Sequence, residues 1–598
     1  MFETRFVRRQ SFFQTCIVCL LFTIPVYGRA VSVSTKVGKI SGYTENLQAD
    51  GQAKTISKFM GIPFAETTAG QNRFLKPIPK APFNSTFDAT GGPIACIQSS
   101  KEAAQRISKI TNFSEDCLNL NVYVPHDFTT NVSLPVMIWI YGGGFNDGAS
   151  ALYRADVLTA FTNVIVVTIN YRLGMFGFLQ SDDGKLPGNQ GLWDQHLAIK
   201  WVHDNIAPFT GNPGQVTIFG ESAGGASVLF QALYPGNKGY FQRVIAESGS
   251  PLANWATIQG PNAKSFAKRV GCDSSSDWIA CLRSKSTSQL QIPRIATDPL
   301  HFYPAVDGDF VAEIPEDILY GNSSKSSAAR QFYSSLDILS GVNNYDGALY
   351  MSSVWPFLLG YTNIDSPKIT RDQLDNIVIL DTVNSILSPK DNRTRDILQK
   401  VVIFEYTNWT DPDSFESTRT STVSLSSDVG FFSPAIRAAQ AHAMAQNGKT
   451  YFYEFSVPVK NHVLKTPTWI TGSNHADEIR YVLCEPLLGS NASTFTEDDK
   501  RVSRAVATLW TNFAKSGNPN TPEDATKYIH TTWPEYTMTS QNYFQISYQM
   551  SLFSVKDYFY AKRMSLWSEL IPKIRKVADI NDNVHIPQFD LSGIIFGK

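Results

Sequence analysis

A serine set between glycines, Gly220-Glu221-Ser222-Ala223-Gly224, has the most direct chemical meaning of any pattern in this chain. The β-formers Thr217-Ile218-Phe219 run into it and a small-residue apolar segment follows, which reads as strand, sharp turn and helix start. On such a turn the hydroxyl stands clear of the sheet, and the flanking glycines let backbone approach where a side chain would clash. The helix start beyond it offers free N–H groups to a developing negative charge. The chemistry is acyl transfer through serine. It needs a base, a group that orients the base, and donors for the tetrahedral oxyanion. Gly-x-Ser-x-Gly alone is weak evidence, so those further parts decide its meaning.

The donors have a candidate in Tyr141-Gly142-Gly143-Gly144-Phe145, which directly follows the strand-like run Val136-Met137-Ile138-Trp139-Ile140. Glycines there bring backbone N–H groups to a substrate oxygen without Cβ obstruction. The alternative is a merely flexible turn, and the elbow later in the chain favours the functional reading. The base is expected as a histidine beyond the acid, in the order Ser, Asp/Glu, His. His475 lies in a polar loop leading into an apolar segment, with His462 and His530 as competitors. His442 sits in an Ala-rich helical stretch, and His196 and His203 precede the serine. Many acids follow Ser222. Asp346 stands out because it follows a strand-like run and precedes Gly347, while Asp477 and Glu478 adjoin His475.

The elements that must hold these residues alternate in type. Val136–Ile140 and Val164–Ile169 are continuous apolar runs, as expected of strands buried on both faces. Leu192–Asn205 reads as helix and Val216–Phe219 as the next strand, followed later by strands at Leu336–Val342 and Thr450–Phe455. This order predicts an α/β fold with a large, mostly parallel sheet, whose ligand site gathers beyond the strand carboxyl ends. Residues 261–330 and 356–422 are polar and helical in texture and read as insertions, without a Gly/Ser- or Pro-rich linker between them and the rest. The expected division is a signal segment over 1–28 and a single domain over 29–598.

Composition narrows the class. Lys plus Arg number 52 against 53 for Asp plus Glu, so no global field attracts nucleic acid or an anionic membrane. Arg5, Arg8 and Arg9 precede an apolar stretch from Phe12 to Val26, with small residues Gly28 and Ala30 beyond. That is a secretory signal pattern, too short for a stable membrane span; the alternative is a retained anchor. Seven sequons fit a secretory route: Asn84, Asn112, Asn131, Asn322, Asn392, Asn408 and Asn491. Five cysteines lie past the signal. Cys96 with Cys117 and Cys272 with Cys281 are near neighbours that make two obvious loops, leaving Cys484 in an apolar run as a buried thiol.

Beyond these readings, the chain resembles the type-B carboxylesterase family, which includes cholinesterases, bile-salt-activated lipases and the catalytically silent neuroligins. The matching residues include Phe59-Met60-Gly61-Ile62-Pro63-Phe64-Ala65, Glu115-Asp116-Cys117-Leu118-Asn119, Gly188-Asn189-Gln190-Gly191, Phe219-Gly220-Glu221-Ser222-Ala223-Gly224-Gly225, Glu247-Ser248-Gly249-Ser250-Pro251 and Trp510-Thr511-Asn512-Phe513. The resemblance implies an α/β-hydrolase fold with helical insertions forming a lid or gorge. It implies Ser222 as nucleophile, His475 as general base and Asp346 as triad acid, where most members carry Glu. It implies Gly143, Gly144 and Ala223 as oxyanion donors, and the disulfides Cys96–Cys117 and Cys272–Cys281. A small-molecule ester is the implied substrate, with no cofactor and no metal.

One departure bears on the substrate. Cholinesterases carry a Trp in the first disulfide loop that holds the quaternary ammonium by cation–π attraction. The segment from Cys96 to Cys117 contains no Trp, and its only aromatic residue is Phe113. The expectation is therefore a secreted carboxylesterase without choline selectivity. A cholinesterase is one alternative, and a catalytically idle, neuroligin-like adhesion or binding protein is the other. Oligomeric state is not legible.

Overall fold

The continuous apolar runs become the centre of a 13-stranded sheet. A computed structural model describes residues 28–574 apart from 93, 100–109, 111, 129–131, 258–261, 293–300, 385–391 and 492–493. The expected signal, Gly28 excepted, and the sequon Asn131 lie outside the described residues. The strands are β1 (Ala30–Thr35), β2 (Gly38–Ala49), β3 (Gln52–Pro63), β4 (Phe87–Asp88), β5 (Ala95–Cys96), β6 (Phe113–Ser114) and β7 (Asn119–Val124). They continue with β8 (Leu134–Ile140), β9 (Ile165–Ile169), β10 (Gly211–Glu221), β11 (Arg243–Glu247), β12 (Asp337–Asn343), β13 (Thr450–Phe455), β14 (Asn542–Ile546) and β15 (Val555–Asp557).

The main path runs β1-β2-β3-β7-β9-β8-β10-β11-β12-β13-β14-β15, with β4 beside β2. From β9 through β14 every neighbouring pair is parallel, and β1, β2, β3, β7 and β15 join antiparallel at the flanks. This is the mixed, mostly parallel sheet that the strand and helix order predicted. Every residue of β8 and β9 is buried, which explains their mostly apolar sequences. The antiparallel β1, by contrast, alternates exposed and buried along Ala30–Ser34.

Helices cover the sheet. Gln190–Asn205 and Ala223–Ala232 lie in the parallel half, as expected of crossovers between parallel strands. The helix Glu497–Ser516 has a full set of end signals. Thr496 and Asp499 form a capping box, three acids occupy the first turn and Lys515 the last. Gly517 ends it at φ 72°, and a Cβ there would lie 2.2 Å from the Asp337 carboxylate.

The polar segments read as insertions are helical, with Ala263–Arg269 and Trp278–Ser284 in the first and Asn392–Tyr406 and Phe415–Ser427 in the second. Around the second, a separate apolar cluster forms from residues such as Leu374, Val402, Val423, Phe432 and Trp567. Cys96–Cys117 and Cys272–Cys281 are disulfides and Cys484 is a buried free thiol, as the sequence suggested. Burial pushes the Cys484 thiol well above its ordinary value, so it stays protonated. Among the described residues no helix is long and apolar enough to cross a membrane.

Candidate active site

Three neighbouring parallel strands and a fourth beside them, β8, β10, β11 and β12, all end on residues of the candidate site. β10 runs to Glu221, and Ser222 turns at φ 59°, ψ −122° before the helix Ala223–Ala232 begins. That conformation costs a non-glycine residue about 1–3 kcal/mol, so the surroundings must impose it. They do so through the Ser222 N–H, which donates to the Glu247 carbonyl at 2.9 Å, and the Ser222 carbonyl, which accepts from Ala226 at 2.9 Å. The turn also needs close backbone approach. A Cβ on Gly224 would lie 2.0 Å from the Ile140 carbonyl oxygen.

The glycine loop after β8 packs directly on this elbow. A Cβ on Gly142 would sit 2.5 Å from the Glu221 carbonyl oxygen and 2.9 Å from the Ser222 Cβ. Gly143 and Gly144 follow at φ 108° and 59°. Among the described residues, the N–H groups of Gly143, Gly144 and Ala223 donate to no backbone carbonyl. The three expected donors therefore stand on two segments that meet at Ser222, with their N–H groups uncommitted to the backbone.

His475 and Asp346 meet although 129 residues separate them. Asp346 follows β12, is fully buried, and places Oδ1 2.9 Å from His475 Nδ1. Its Oδ2 accepts from Ser248 Oγ at 2.9 Å and from the Asn343 N–H at 2.8 Å, so the carboxylate is held from three sides. The sequence neighbours of His475 face elsewhere. Asp477 accepts from the Val463 and Asn474 N–H groups and lies 2.6 Å from His462 Nδ1. Glu478 accepts from Asn343 Nδ2. Of the competing histidines, His530 caps the helix Thr526–Ile529, and His442 is buried between Thr450 and the Leu336 carbonyl. Burial pushes His442 down to about 4, leaving it neutral.

A group of buried carboxyls surrounds the histidine. Glu221 Oε1 lies 3.1 Å from His475 Nε2, without hydrogen-bond geometry. Burial, and then the neighbouring Asp346, Glu247 and Asp477 charges, raise Glu221 well above the usual carboxylate range. Glu221 therefore favours its neutral form more than an exposed carboxyl does. Burial likewise raises Glu247 to about 8, opposed by the Trp510 indole N–H, which donates to it at 2.7 Å. Burial also raises Glu478, with Glu221, Glu247 and Asp346 adding repulsion. Phe431 covers the histidine, its ring centroid 4.5 Å from that of His475. It belongs to a π-helical turn, Asp428–Phe432, whose Gly430 carbonyl accepts from Trp255 Nε1 at 2.8 Å.

Sequence reasoning gave no role to Ser248, Asn343, Glu247 or Phe431. Ser248 and Glu247 did stand in a matching motif, Glu247-Ser248-Gly249-Ser250-Pro251, which was the available signal. Nothing local marked Asn343, whose backbone N–H does the work, or Phe431.

Comparison with known proteins bears on the same residues. A model of the carboxylesterase family matches residues 29–567. The chain belongs to the carboxylesterase family. Its sheet and flanking helices are accordingly an α/β-hydrolase fold. This carboxylesterase-family chain is 33% identical to acetylcholinesterase of Bungarus fasciatus, over 94% of its own length and 90% of that protein. It is 35% identical to bile salt-activated lipase of Bos taurus, over 93% and 90%. Neuroligin-3 of Mus musculus is 30% identical, over 92% of this chain and 70% of that protein. The carboxylesterase family supports ester hydrolysis as the general chemistry.

Proposed function

We propose that this chain is a secreted serine carboxylesterase that hydrolyses small-molecule carboxylic esters through an acyl-enzyme, with Ser222, His475 and Asp346 as the triad. The observation that carries this reading is the Asp346–His475 contact of 2.9 Å beside a serine on a strained elbow. In this mechanism Ser222 Oγ attacks the ester carbonyl carbon while His475 Nε2 takes the hydroxyl proton. Asp346 accepts from Nδ1–H, which leaves Nε2 free to receive that proton, and it stabilises the imidazolium that results. The N–H groups of Gly143, Gly144 and Ala223 receive the oxyanion. Collapse expels the alcohol, protonated by His475, and leaves an ester on Ser222. Water, deprotonated by His475, then releases the acid. Among the described residues Ser222 Oγ makes no hydrogen bond to His475. Such a contact often tightens only when substrate is bound.

Secretion is supported by the N-terminal pattern, the two disulfides and the exposed positions of Asn84, Asn112, Asn322, Asn392 and Asn408. Neutral esters are favoured over choline esters because the Cys96–Cys117 segment lacks Trp. A binding protein without turnover has the neuroligin relative in its favour and the intact Ser, His and Asp set against it.

The test is labelling with a fluorophosphonate and turnover of a chromogenic short-chain ester. Ser222 should carry the label. Ser222→Ala and His475→Ala should each lower kcat by about three to six orders of magnitude, and the double variant should be little worse than either. Label on Ser227 or Ser248, or near-normal turnover by either variant, would overturn the assignment.

A further inference from the structure

Two aromatic side chains stand in solvent where the helix Asn392–Tyr406 gives way to the loop before Phe415–Ser427. Phe404 is 65% exposed and Trp409 61%, and their ring centroids lie 5.9 Å apart. The Trp409 ring is held in place. Its indole N–H donates to the Phe404 carbonyl at 3.1 Å, and the Arg371 guanidinium sits 5.7 Å from its centroid. With the N–H spent on the backbone, what Trp409 still offers to water is bare ring. Single exposed apolar residues are ordinary, but a fixed aromatic pair is apolar surface that folding has left uncovered.

Asn408 adjoins this pair and is the acceptor of the sequon Asn408-Trp409-Thr410. Its side chain is exposed, yet its amide is tethered at both ends. Thr410 donates to Oδ1 from its N–H at 3.3 Å and from its hydroxyl at 2.7 Å, and Nδ2 donates to Ser417 Oγ at 3.0 Å. An N-linked sugar replaces one of the two Nδ2 hydrogens and leaves the other for Ser417. A sugar on this amide therefore starts from a fixed direction, and it loses less freedom on packing than one on a free rotor. The C–H groups on one face of a pyranose suit the electron-rich face of an aromatic ring. Asn84 and Asn112 also adjoin aromatic residues, but Phe83 and Phe113 are only half-exposed.

We propose that Asn408 carries an N-linked glycan whose first sugar covers the Phe404–Trp409 pair. The inference rests on the secretory route proposed above and not on ester turnover. In the transfer, Nδ2 bonds to the anomeric carbon of N-acetylglucosamine in a lipid-linked oligosaccharide. The lipid diphosphate leaves from that carbon, and the amide gives up one proton. Packing on the rings follows as the chain folds.

The full chain expressed in a eukaryotic cell line provides the test. Glycan release by peptide N-glycosidase in heavy-oxygen water marks each occupied asparagine for mass spectrometry, and Asn408 should be marked. Hydroxyl-radical footprinting of the native protein then reads the rings. Oxidation of Phe404 and Trp409 should rise about twofold or more when the whole glycan is removed, because a sugar shields an open ring face. It should stay low when an endoglycosidase leaves the first sugar in place, a comparison that needs no variant. Thr410→Ser keeps the sequon and should keep the protection. Asn408→Gln should lose glycan and protection together while ester turnover matches the parent protein. Asn408 bare with other sequons occupied would refute this site and leave the secretory route standing, whereas no occupied sequon would refute both. Ring oxidation unchanged by full glycan removal would refute the packing. A dimer with Asn408 bare, dissociated by Phe404→Ser, would give the face to a second copy and refute it too.

Discussion

Asp346→Asn tests the triad most sharply, because the surrounding hydrogen bonds dictate which way the new amide points. Asp346 Oδ2 accepts from the Asn343 N–H at 2.8 Å, and a backbone N–H can only donate. The amide oxygen must therefore take that position. Ser248 Oγ, 2.9 Å from the same oxygen, can still donate to it. The amide NH2 is left at the Oδ1 position, 2.9 Å from His475 Nδ1. Two N–H donors cannot face each other, so the imidazole must present Nδ1 as acceptor and carry its proton on Nε2. In that tautomer Nε2 cannot accept the Ser222 proton. The change swaps one neutral hydrogen-bonded arrangement for another, so folding should be nearly unaffected while kcat falls by roughly 10⁴, or about 5.5 kcal/mol in barrier. The assay is kcat on a chromogenic short-chain ester, with thermal melts of both proteins as control. Asp477→Asn is the matched comparison, since Asp477 faces His462 and two backbone N–H groups. If Asp346→Asn keeps more than about a tenth of the activity, or Asp477→Asn loses more than Asp346→Asn, the reasoning about the acid is wrong.

Other outcomes follow from the same geometry. Gly142→Ala forces the glycine loop after β8 off the elbow, because its Cβ would lie 2.5 Å from the Glu221 carbonyl oxygen. Turnover should fall by about 10²–10³ with the protein still folded, and unchanged kcat would show that the loop position does not matter. Glu247 is raised to about 8 from an ordinary 4.5, so the unfolded chain ionises first as pH rises. Its contribution to stability should fall between about pH 4.5 and 8, by up to about 1.4 kcal/mol per pH unit, and level off above. Glu247→Gln should flatten that part of the Tm–pH curve, and an identical curve would place the proton elsewhere. With the acyl group fixed, kcat/KM for acetylcholine should not exceed that for its uncharged 3,3-dimethylbutyl isostere. A preference of about 100-fold for the cation would mean that another aromatic residue serves it.

The sequence by itself determined the parts of this protein that depend on short stretches of backbone. The elbow at Ser222, the glycine loop after β8, the buried central strands and the two short disulfide loops are each written within a few residues or between near neighbours. Strand propensity, glycine placement and cysteine spacing act locally, so they are legible without a partner. The pairing of His475 with an acid is not of that kind. Asp477 and Glu478 adjoin it in sequence, yet Asp477 is spent on the Asn474 N–H of its own turn, on the Val463 N–H and on His462. Asp346 reaches the imidazole because β12 and β13 lie parallel in register, Ile338 beside Thr450 through Asn343 beside Phe455, which brings their carboxyl-end loops together. The same convergence delivers Ser248 from β11 to the second Asp346 oxygen, crowds Glu221, Glu247 and Glu478 into one buried group, and sets Phe431 over the histidine. Those contacts join residues whose distance along the chain carries no information about their distance in space. Only the assembled sheet and the helices packed over it decide them.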